Sequence, residues 1–246
     1  MSSRLRARVL LPLLLGVLVG SAGAQGRSVV LEPFDGIEIG GAADLHLAQG
    51  PQQVRIDGDD ADGRDLPLVV RGGVLRVNTP GSWKFWSSRR LQLHVTLPQL
   101  SRLGISGAAD VHAAGPMQLE RLRISISGAG LARFDQLQAG QLVFSVSGAG
   151  DGRIAGEVGD LQLSISGKSD FQGEQLLAHK ARVAVSGIGD VTVWVRDDLT
   201  LSIAGIGRVD YWGTPRLRRS SSGMATVNAL GPKAPAAPPA PPAPPR

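Results

Sequence analysis

The sequence of 246 residues contains no cysteine. This absence excludes disulfide bonds, cysteine metal sites, a thiol nucleophile and the lipid-bearing cysteine of a lipoprotein. Aromatic residues are few, with four Trp, five Phe and one Tyr, and neither a basic stripe nor an aromatic RNA-binding motif is present. Packing and hydrogen bonding must therefore stabilise the folded protein.

Long hydrophobic runs are also missing, apart from one near the N-terminus. An Arg-rich start precedes the apolar run 9–19, which ends in small residues at 22–24. About eleven apolar residues are fewer than the roughly 20 that a membrane-spanning helix needs, and the flanks predict a secretory signal peptide over residues 1–24. We expect the mature chain to begin at Gln25, to have no transmembrane segment, and to be periplasmic, cell-surface or secreted.

An excess of charge is missing once the termini are set aside. The chain has 26 basic and 21 acidic residues, but residues 1–24 contain three of the bases and no acid. The C-terminal tail holds two further bases, Lys233 and Arg246, so residues 25–231 carry no net charge. The excess of basic over acidic residues in the whole chain therefore does not indicate a nucleic-acid partner.

One short motif recurs along the chain. The stretches ISGAADVH, ISGAGLAR, VSGAGDGR, ISGKSDFQ, VSGIGDVT and IAGIGRVD share the glycines Gly107, Gly128, Gly148, Gly167, Gly187 and Gly205. Their spacing of 18 to 21 residues indicates a solenoid, in which each repeat is one coil that cannot bury its apolar face alone. A seventh, isolated copy, IGGAADLH, begins at Ile39.

The residues between the glycines alternate in polarity. Before the second motif Leu122, Ile124 and Ile126 alternate with polar residues, and the later repeats do the same. A shorter alternation follows each motif, with equivalent apolar residues at Phe134, Ile154, Val193 and Tyr211. Because period two is typical of strands, we predict an all-β chain that forms a parallel β-helix or β-solenoid with about 20 residues per coil.

The glycines are predicted to form corners between strands. Glycine reaches φ > 0 without steric cost, which a tight corner would use. Second glycines stand two residues further on at Gly130, Gly150, Gly189 and Gly207, and the acids that follow are Asp110, Asp151, Asp170 and Asp190. These carboxylates are placed to cap backbone N–H groups. A phosphate-binding loop at 148–152 would need a helix behind it, and the stretch 104–107 lacks the second glycine of a nucleophile elbow.

The repeats divide the mature chain into three parts. Residues 25–100 are predicted to form N-terminal cap strands and residues 101–214 the tandem coils, with the domain ending at residue 231. The predicted cap strands are FDGIEI, DLHLA, QQVRI, PLVVRGGVLRVN and LQLHVTLP. At the other end, Pro215 and three nearby Arg are expected to break the alternation and blunt the open edge. Residues 232–246, rich in Pro and Ala, predict a disordered, polyproline-like tail.

These stretches resemble a known family. FDGIEIGGAADLHLAQG, VTLPQLSRLGISGAADV, the tandem SGxGD corners and VDYWGTP are similar to the head GIN domain family of putative autotransporter adhesins, over about residues 28–214. The resemblance implies a right-handed parallel β-helix in an exported bacterial protein, an adhesin role inferred from the fold, and no catalytic residues. The chain departs from the family pattern at Leu131 and Arg208, where Asp is more usual, and at Ala204.

The corner Asp residues are the strongest sequence lead for chemistry. Polysaccharide-cleaving β-helix enzymes use clustered carboxylates outside a parallel sheet, and carboxylates one coil apart repel by about 1 kcal/mol in water. A ladder of them could recruit Ca²⁺ or do acid and base work. Leu131 and Arg208 interrupt the column, however, and turn capping explains Asp without chemistry. Capping is the favoured interpretation, with Ca²⁺ binding and catalysis as alternatives.

Two other patterns have residue types that can bind metal ions. DGDDADGRD at 57–65 fails the EF-hand template at Ala61 and at Leu68, where a Glu should stand, and is interpreted as a solvated loop. The four histidines, His46, His94, His112 and His179, are scattered along the chain and lack metal-ligand spacing. We therefore predict no metal site, no cofactor and no catalytic residue.

The stretch GSWKFWSSRR, residues 81–90, concentrates aromatic and basic residues in a chain that has few aromatics. The candidate partner-binding residues are Trp83, Phe85, Trp86, Arg89 and Arg90. Exposed, they would bind sugar rings, anionic lipid or a protein through stacking and cation–π contacts. The alternative is that the aromatics plug the open end of the solenoid.

The function predicted from these features is an exported, noncatalytic, adhesin-like binding or envelope structural module. A rigid β-solenoid would present its surface to an envelope glycan or a surface protein, with the Pro-rich tail as a spacer. The alternative is a polysaccharide-active β-helix enzyme that uses the Asp column.

Overall fold

The computed structural model describes residues 27–57, 68–77 and 90–234. Every regular element in these ranges is a β-strand, and the described ranges contain no helix that could cross a bilayer. The strands are β1 (Arg27–Val29), β2 (Gly36–Ile39), β3 (Ala42–Gln49), β4 (Gln53–Asp57), β5 (Leu68–Arg71), β6 (Val74–Val77), β7 (Leu91–Leu97), β8 (Arg102–Ile105), β9 (Ala108–Ile126), β10 (Ala129–Val146), β11 (Ala149–Ile165), β12 (Lys168–Val185), β13 (Ile188–Ile203), β14 (Ile206–Trp212), β15 (Arg216–Ser221) and β16 (Met224–Gly231).

The strands β9 to β13 build the tandem coils. Each is 16 to 19 residues long and pairs in parallel with the strand one repeat before and after it. Leu122, Leu142 and Leu161, for example, are neighbours on successive coils. The predicted β-solenoid of about 20 residues per coil is therefore confirmed.

Each coil consists of three segments, illustrated here by β10. The first segment, 129–134, follows the Ser-Gly corner, and a register shift after Phe134 separates it from the second segment, 137–139. The third segment, 141–146, begins after Gly140, which lies outside the paired register. The three segments let one long strand wrap around the core before the next corner begins.

The core lies between the three segments. The third segments contribute in-register inward columns, such as Ile124, Phe144 and Leu163, that are at most 1% exposed. Each such side chain contributes about 1.5–3 kcal/mol by leaving water. Phe144 and Phe171 meet edge to face with ring centroids 5.1 Å apart, and Gly152 makes room for them, because a Cβ there would lie 2.6 Å from the Phe144 ring.

Glycine is required at the corners for a different physical reason from the one predicted. Positive φ angles occur only at Gly72, Gly73, Gly156, Gly213 and Gly231 among the described residues, so none of the repeated corner glycines adopts one. The corners instead stack in close contact. A Cβ on Gly128 would overlap the carbonyl oxygen of Gly107 and lie 2.5 Å from that of Ser106. Glycine is required because the backbone of the preceding coil occupies the space of a side chain.

The seventh motif copy is isolated in sequence but not in space. β3 pairs in register with β9, which places Asp44 beside Asp110 and His46 beside His112. β2 likewise pairs with β8, so β2 and β3 form a further coil, on which β6 and β7 stack. The antiparallel strands β1, β4 and β5 close this end, and all five stretches predicted as cap strands contain strands.

The C-terminal end continues the solenoid further than predicted. β15 pairs in parallel with β13 and β16 with β14, so the parallel pairing of coils continues past Pro215. The edge formed by β15 is polar, because at its inward positions Arg219 stacks on Leu201 and Ser221 stacks on Ile203 of the preceding coil. All six residues of β15 are exposed. An arginine at an inward edge position discourages pairing with another chain.

The last described residues are attached to the side of the solenoid. Lys233 Nζ lies 5.3 Å from the ring centroid of Trp194 and 5.4 Å from that of Trp212, and it donates to the carbonyl oxygen of Glu174. The two cation–π contacts hold the chain against the coils as far as this residue. The Pro-rich stretch from 235 onward lies outside the described residues.

The Gly128→Ala substitution is expected to destabilise the protein strongly. The added Cβ meets backbone carbonyl oxygens that cannot move without breaking the inter-coil hydrogen bonds, so we expect a loss of about 3 kcal/mol or more in the free energy of unfolding. Gly115→Ala is the matched control, because a Cβ there meets nothing within 4 Å. Urea unfolding of both variants measures the difference, and equal stabilities would contradict the role of close corner contact.

Candidate functional site

Only one of the five predicted partner-binding residues is described by the structure. Trp83, Phe85, Trp86 and Arg89 lie outside the described residues, so their role as a binding patch or as an end plug stays a prediction. Arg90 is described and lies directly before β7. Its surroundings show what the C-terminal end of this stretch contacts.

Arg90 connects two coils. One of its terminal nitrogens lies 2.9 Å from Asp44 Oδ1 and 2.5 Å from Asp110 Oδ2. The hydrogen bond to Asp110 is the main cause of a raised pKa at Arg90; burial opposes it, and the charges of Asp110 and Asp44 add to it. The guanidinium therefore links the N-terminal coil to the first tandem coil.

The corner Asp residues form the predicted column, and their hydrogen bonds run between coils. Leu131 N–H donates to Asp110 at 3.2 Å, Asp170 N–H to Asp151 at 2.8 Å, and Arg208 N–H to Asp190 at 3.1 Å. Each of these carboxylates caps an N–H of the following coil rather than one of its own turn. One oxygen of each carboxylate is thus engaged in holding the stack together.

Three histidines that are scattered in sequence form a ladder in space. His94, His46 and His112 occupy neighbouring rungs, with ring centroids 4.8 Å apart in the stacked pair His94–His46 and 6.4 Å apart in the tilted pair His46–His112. His46 and His112 follow the glycine motif at the same repeat position, and this sequence signal could have placed the two side by side. His94 could not be placed from sequence because β7 stacks on β3 out of chain order.

Carboxylates flank this histidine ladder at both ends. Asp57 Oδ2 lies 2.8 Å from His94 Nε2, and Asp135 Oδ2 lies 2.8 Å from His112 Nε2. Within the ranges that the structure covers, no three His, Asp or Glu side chains are arranged to hold a metal ion.

Asp135 has the most clearly perturbed environment among the described acids. Arg133 donates from Nε to Asp135 Oδ1 at 2.7 Å and is the main cause that lowers the pKa of this carboxyl. Partial burial opposes the effect, and His112 adds to it. The carboxylate therefore stays charged at neutral pH.

A cleft of about 560 Å³ opens where the second and third segments meet. Gly140 and Gly159, which are neighbours on adjacent coils, are among the residues that line it. Glu157 and His179 line one side, with Glu157 Oε1 3.1 Å from His179 Nε2. The cleft is wide, open and polar, and sequence reasoning did not identify it because its two glycines lie outside the repeated motif.

Together these features define a class of protein. The fold is a β-solenoid whose outward side chains form in-register columns, and its clefts in the described ranges are open and shallow. The family of putative auto-transporter adhesins with a head GIN domain matches residues 33–215. The chain belongs to that family, as its motifs indicated.

Solved structures share the fold. A putative adhesin from Bacteroides fragilis is 21% identical, with a TM-score of 0.76 over 85% of this chain and 98% of its own. A putative adhesin from Parabacteroides merdae is 15% identical, with a TM-score of 0.59 over 86% of this chain and 98% of its own. A putative lipid binding protein from Parabacteroides distasonis is 18% identical, with a TM-score of 0.56 over 86% and 98%. No curated protein matches the chain.

The pH dependence of stability tests the environment of Asp135. A lowered pKa in the folded state contributes stability that is fully present above the unfolded value of about 4 and is lost as the pH falls through the folded value. The Asp135→Asn variant should therefore lose less stability than the parent protein between about pH 4 and pH 2. Urea unfolding at each pH measures this.

The Arg133→Gln variant tests whether the guanidinium of Arg133 causes the lowered pKa of Asp135. Removal of the guanidinium should raise the pKa of Asp135 toward its usual value, which an NMR titration of the carboxyl detects. Identical acid sensitivity of the parent protein and Asp135→Asn would show that this carboxylate does not stabilise the fold.

Proposed function

We propose that the protein is an exported, noncatalytic, adhesin-like binding module whose rigid solenoid presents its surface to a glycan or a protein partner. The observation that carries this proposal is the in-register stacking of outward side chains. Because β9 to β13 pair residue by residue over most of their length, each outward side chain sits directly above its counterpart on the preceding coil. Membership of an adhesin family supports the same function.

Rigidity favours binding on such a surface. Coils that are hydrogen-bonded about 4.8 Å apart hold their outward side chains in fixed positions before a partner arrives. The entropy lost on association is then smaller than for a binding site on mobile loops. An extended partner can also contact several coils at once, so that individually weak contacts add.

The hydrogen bonding of the Asp column argues against the enzyme alternative. Asp151 and Asp190 each accept a backbone N–H of the next coil, and Leu131 and Arg208 interrupt the column. Asp151, Asp170 and Asp190 do line a shallow cleft of about 270 Å³ together with Lys168. That cleft is where polysaccharide cleavage by this column would have to occur.

Export is part of the proposal. The family is described as one of putative auto-transporter adhesins, and that description supports export to the cell surface or the periplasm. The leader predicted over residues 1–24 lies outside the described residues, and it stays a prediction. Fractionation of cells that produce the protein, followed by detection of the mature chain, would locate it.

A glycan array and a cell-binding assay with the purified exported protein test the proposed function. We expect retention on at least one envelope glycan or cell surface, and no release of reducing ends from any polysaccharide that is retained. The control is the triple variant Asp151→Asn, Asp170→Asn and Asp190→Asn, which should bind as the parent does. Cleavage by the parent that this variant loses would establish the enzyme instead, and failure to bind any glycan, cell or protein would overturn the proposal.

A further inference from the structure

The outward side of the third segments carries an unusual distribution of charge. One of its columns alternates in sign and so largely neutralises itself; its members are Arg121, Gln141, Asp160, Lys180, Asp198 and Arg216. The neighbouring column, which we call the arginine column, contains no acid; its members are Arg102, Arg123, Val143, Gln162, Arg182, Thr200 and Arg218. The same sheet thus has a balanced column beside a positive one.

The arginines of this column are exposed and have no carboxylate partner among the described residues. Arg102, Arg123, Arg182 and Arg218 are all exposed, and none forms an ion pair with an acid of the described ranges. Arg216, in the neighbouring column, is by contrast 2.9 Å from Asp198. The column therefore offers four guanidinium groups whose hydrogen-bond donors are available to a partner.

Folding alone does not explain this arrangement. Arg102 and Arg123 stand directly opposite each other on adjacent rungs, about 4.8 Å apart along the axis. Like charges in that position are destabilising, by about 1 kcal/mol in water. Residues 25–231 as a whole carry no net charge, so this side concentrates positive charge that acidic residues elsewhere balance. A bound anion would remove the repulsion.

The C-terminal half of the column already forms a cleft. Arg182 and Arg218 stand on either side of Thr200 and line a cleft of about 230 Å³. Lys180, Arg216 and Asp198 also line it, and the Asp198 carboxylate is paired with Arg216. A guanidinium donates two parallel hydrogen bonds to a carboxylate or sulfate. Arg123 lies three rungs from Arg182, about 14 Å along the axis, so one compact anion could not contact both groups.

The column beside these arginines presents hydroxyl groups. Over the tandem coils its members are Ser125, Ser145, Ser164, Ala184, Ser202 and Ser220. Toward the N-terminal end it continues through Gly104 to Glu38, which is paired with Arg76. Hydroxyls and amides hydrogen-bond to sugars, whereas a membrane surface would need large apolar side chains next to the basic ones. Stacking platforms for single-stranded nucleic acid are absent from these outward positions. The guanidinium and hydroxyl groups on the outward side of the third segments therefore suit a polymer in which anionic groups alternate with hydroxyls.

We infer that the arginine column binds an acidic polysaccharide, which lies along the solenoid axis with its carboxylate or sulfate groups at Arg102 and Arg123 and in the cleft between Arg182 and Arg218. This inference rests on the proposed binding function and names its partner class. Val143 and Gln162 lie between the two anion-binding ends and leave space for the sugar rings that connect them.

Binding of polygalacturonate and of dextran sulfate, with neutral dextran as reference, tests the inference. We expect the purified exported protein to bind both polyanions, with an affinity that falls as salt rises, and not to bind neutral dextran. The triple variant Arg123→Gln, Arg182→Gln and Arg218→Gln should bind at least about tenfold more weakly. Its melting temperature should equal or exceed that of the parent, because the substitutions remove repulsion without touching the core.

The matched control removes three positive charges from other sides of the solenoid. It is the triple variant Arg153→Gln, Arg196→Gln and Arg208→Gln, and it should retain parental affinity. Equal weakening of both variants would overturn the inference, because net charge alone would then explain binding. Binding to phosphatidylglycerol vesicles but to neither polyanion would overturn it in favour of a lipid surface.

The two proposals fail in distinguishable ways. If the parent protein binds neutral glycans or cells in the screens but neither polyanion, the arginine-column inference is wrong and the binding function stands. If it binds nothing in either experiment, both are wrong.

Discussion

The close stacking of glycine corners is the constraint on which the structure depends. At each corner the backbone of one coil lies against that of the next, and two hydrogen bonds hold the contact. At one corner, for example, the Ser127 N–H donates to the Ile105 carbonyl oxygen at 2.8 Å, and the Ala129 N–H donates to the Gly107 carbonyl oxygen at 2.9 Å. A side chain at Gly128 would separate the coils. The parallel ladder, the inward columns and the close core of Phe144 and Phe171 all require the spacing that these corners set.

The same spacing decides the chemistry of the surface. Residues one repeat apart become neighbours about 4.8 Å apart, so a charge in one repeat meets whatever stands at that position in the next. Contacts within the fold offset several of these charges. Asp110 accepts the N–H of Leu131, and Arg90 bridges Asp44 and Asp110. Asp198 pairs with Arg216. The arginine column differs, because no acid in the part of the chain that the structure describes offsets the repulsion between its arginines.

The two ends of the solenoid show how an open stack is terminated. At the N-terminal end the strands reverse direction, since β1, β4 and β5 pair antiparallel and cannot continue the repeat. At the C-terminal end the coil stays parallel, but Arg219 and Ser221 replace the aliphatic residues of the inward columns. Covering an edge and making it polar are two established ways to prevent pairing with other chains. Lys233, held between Trp194 and Trp212, adds a contact beside that end.

The sequence by itself determined the all-β class, the coil of about 20 residues, the inward residues and the family, because period-two alternation and a recurrent glycine are local properties that every coil repeats. Tertiary structure alone decided which distant residues meet. His94 joins His46 because β7 stacks on β3 out of chain order, and Arg90 reaches Asp110 through that same path. The reason for the corner glycines also needed three dimensions, since a carbonyl oxygen from the preceding coil, and not the local φ angle, excludes the side chain.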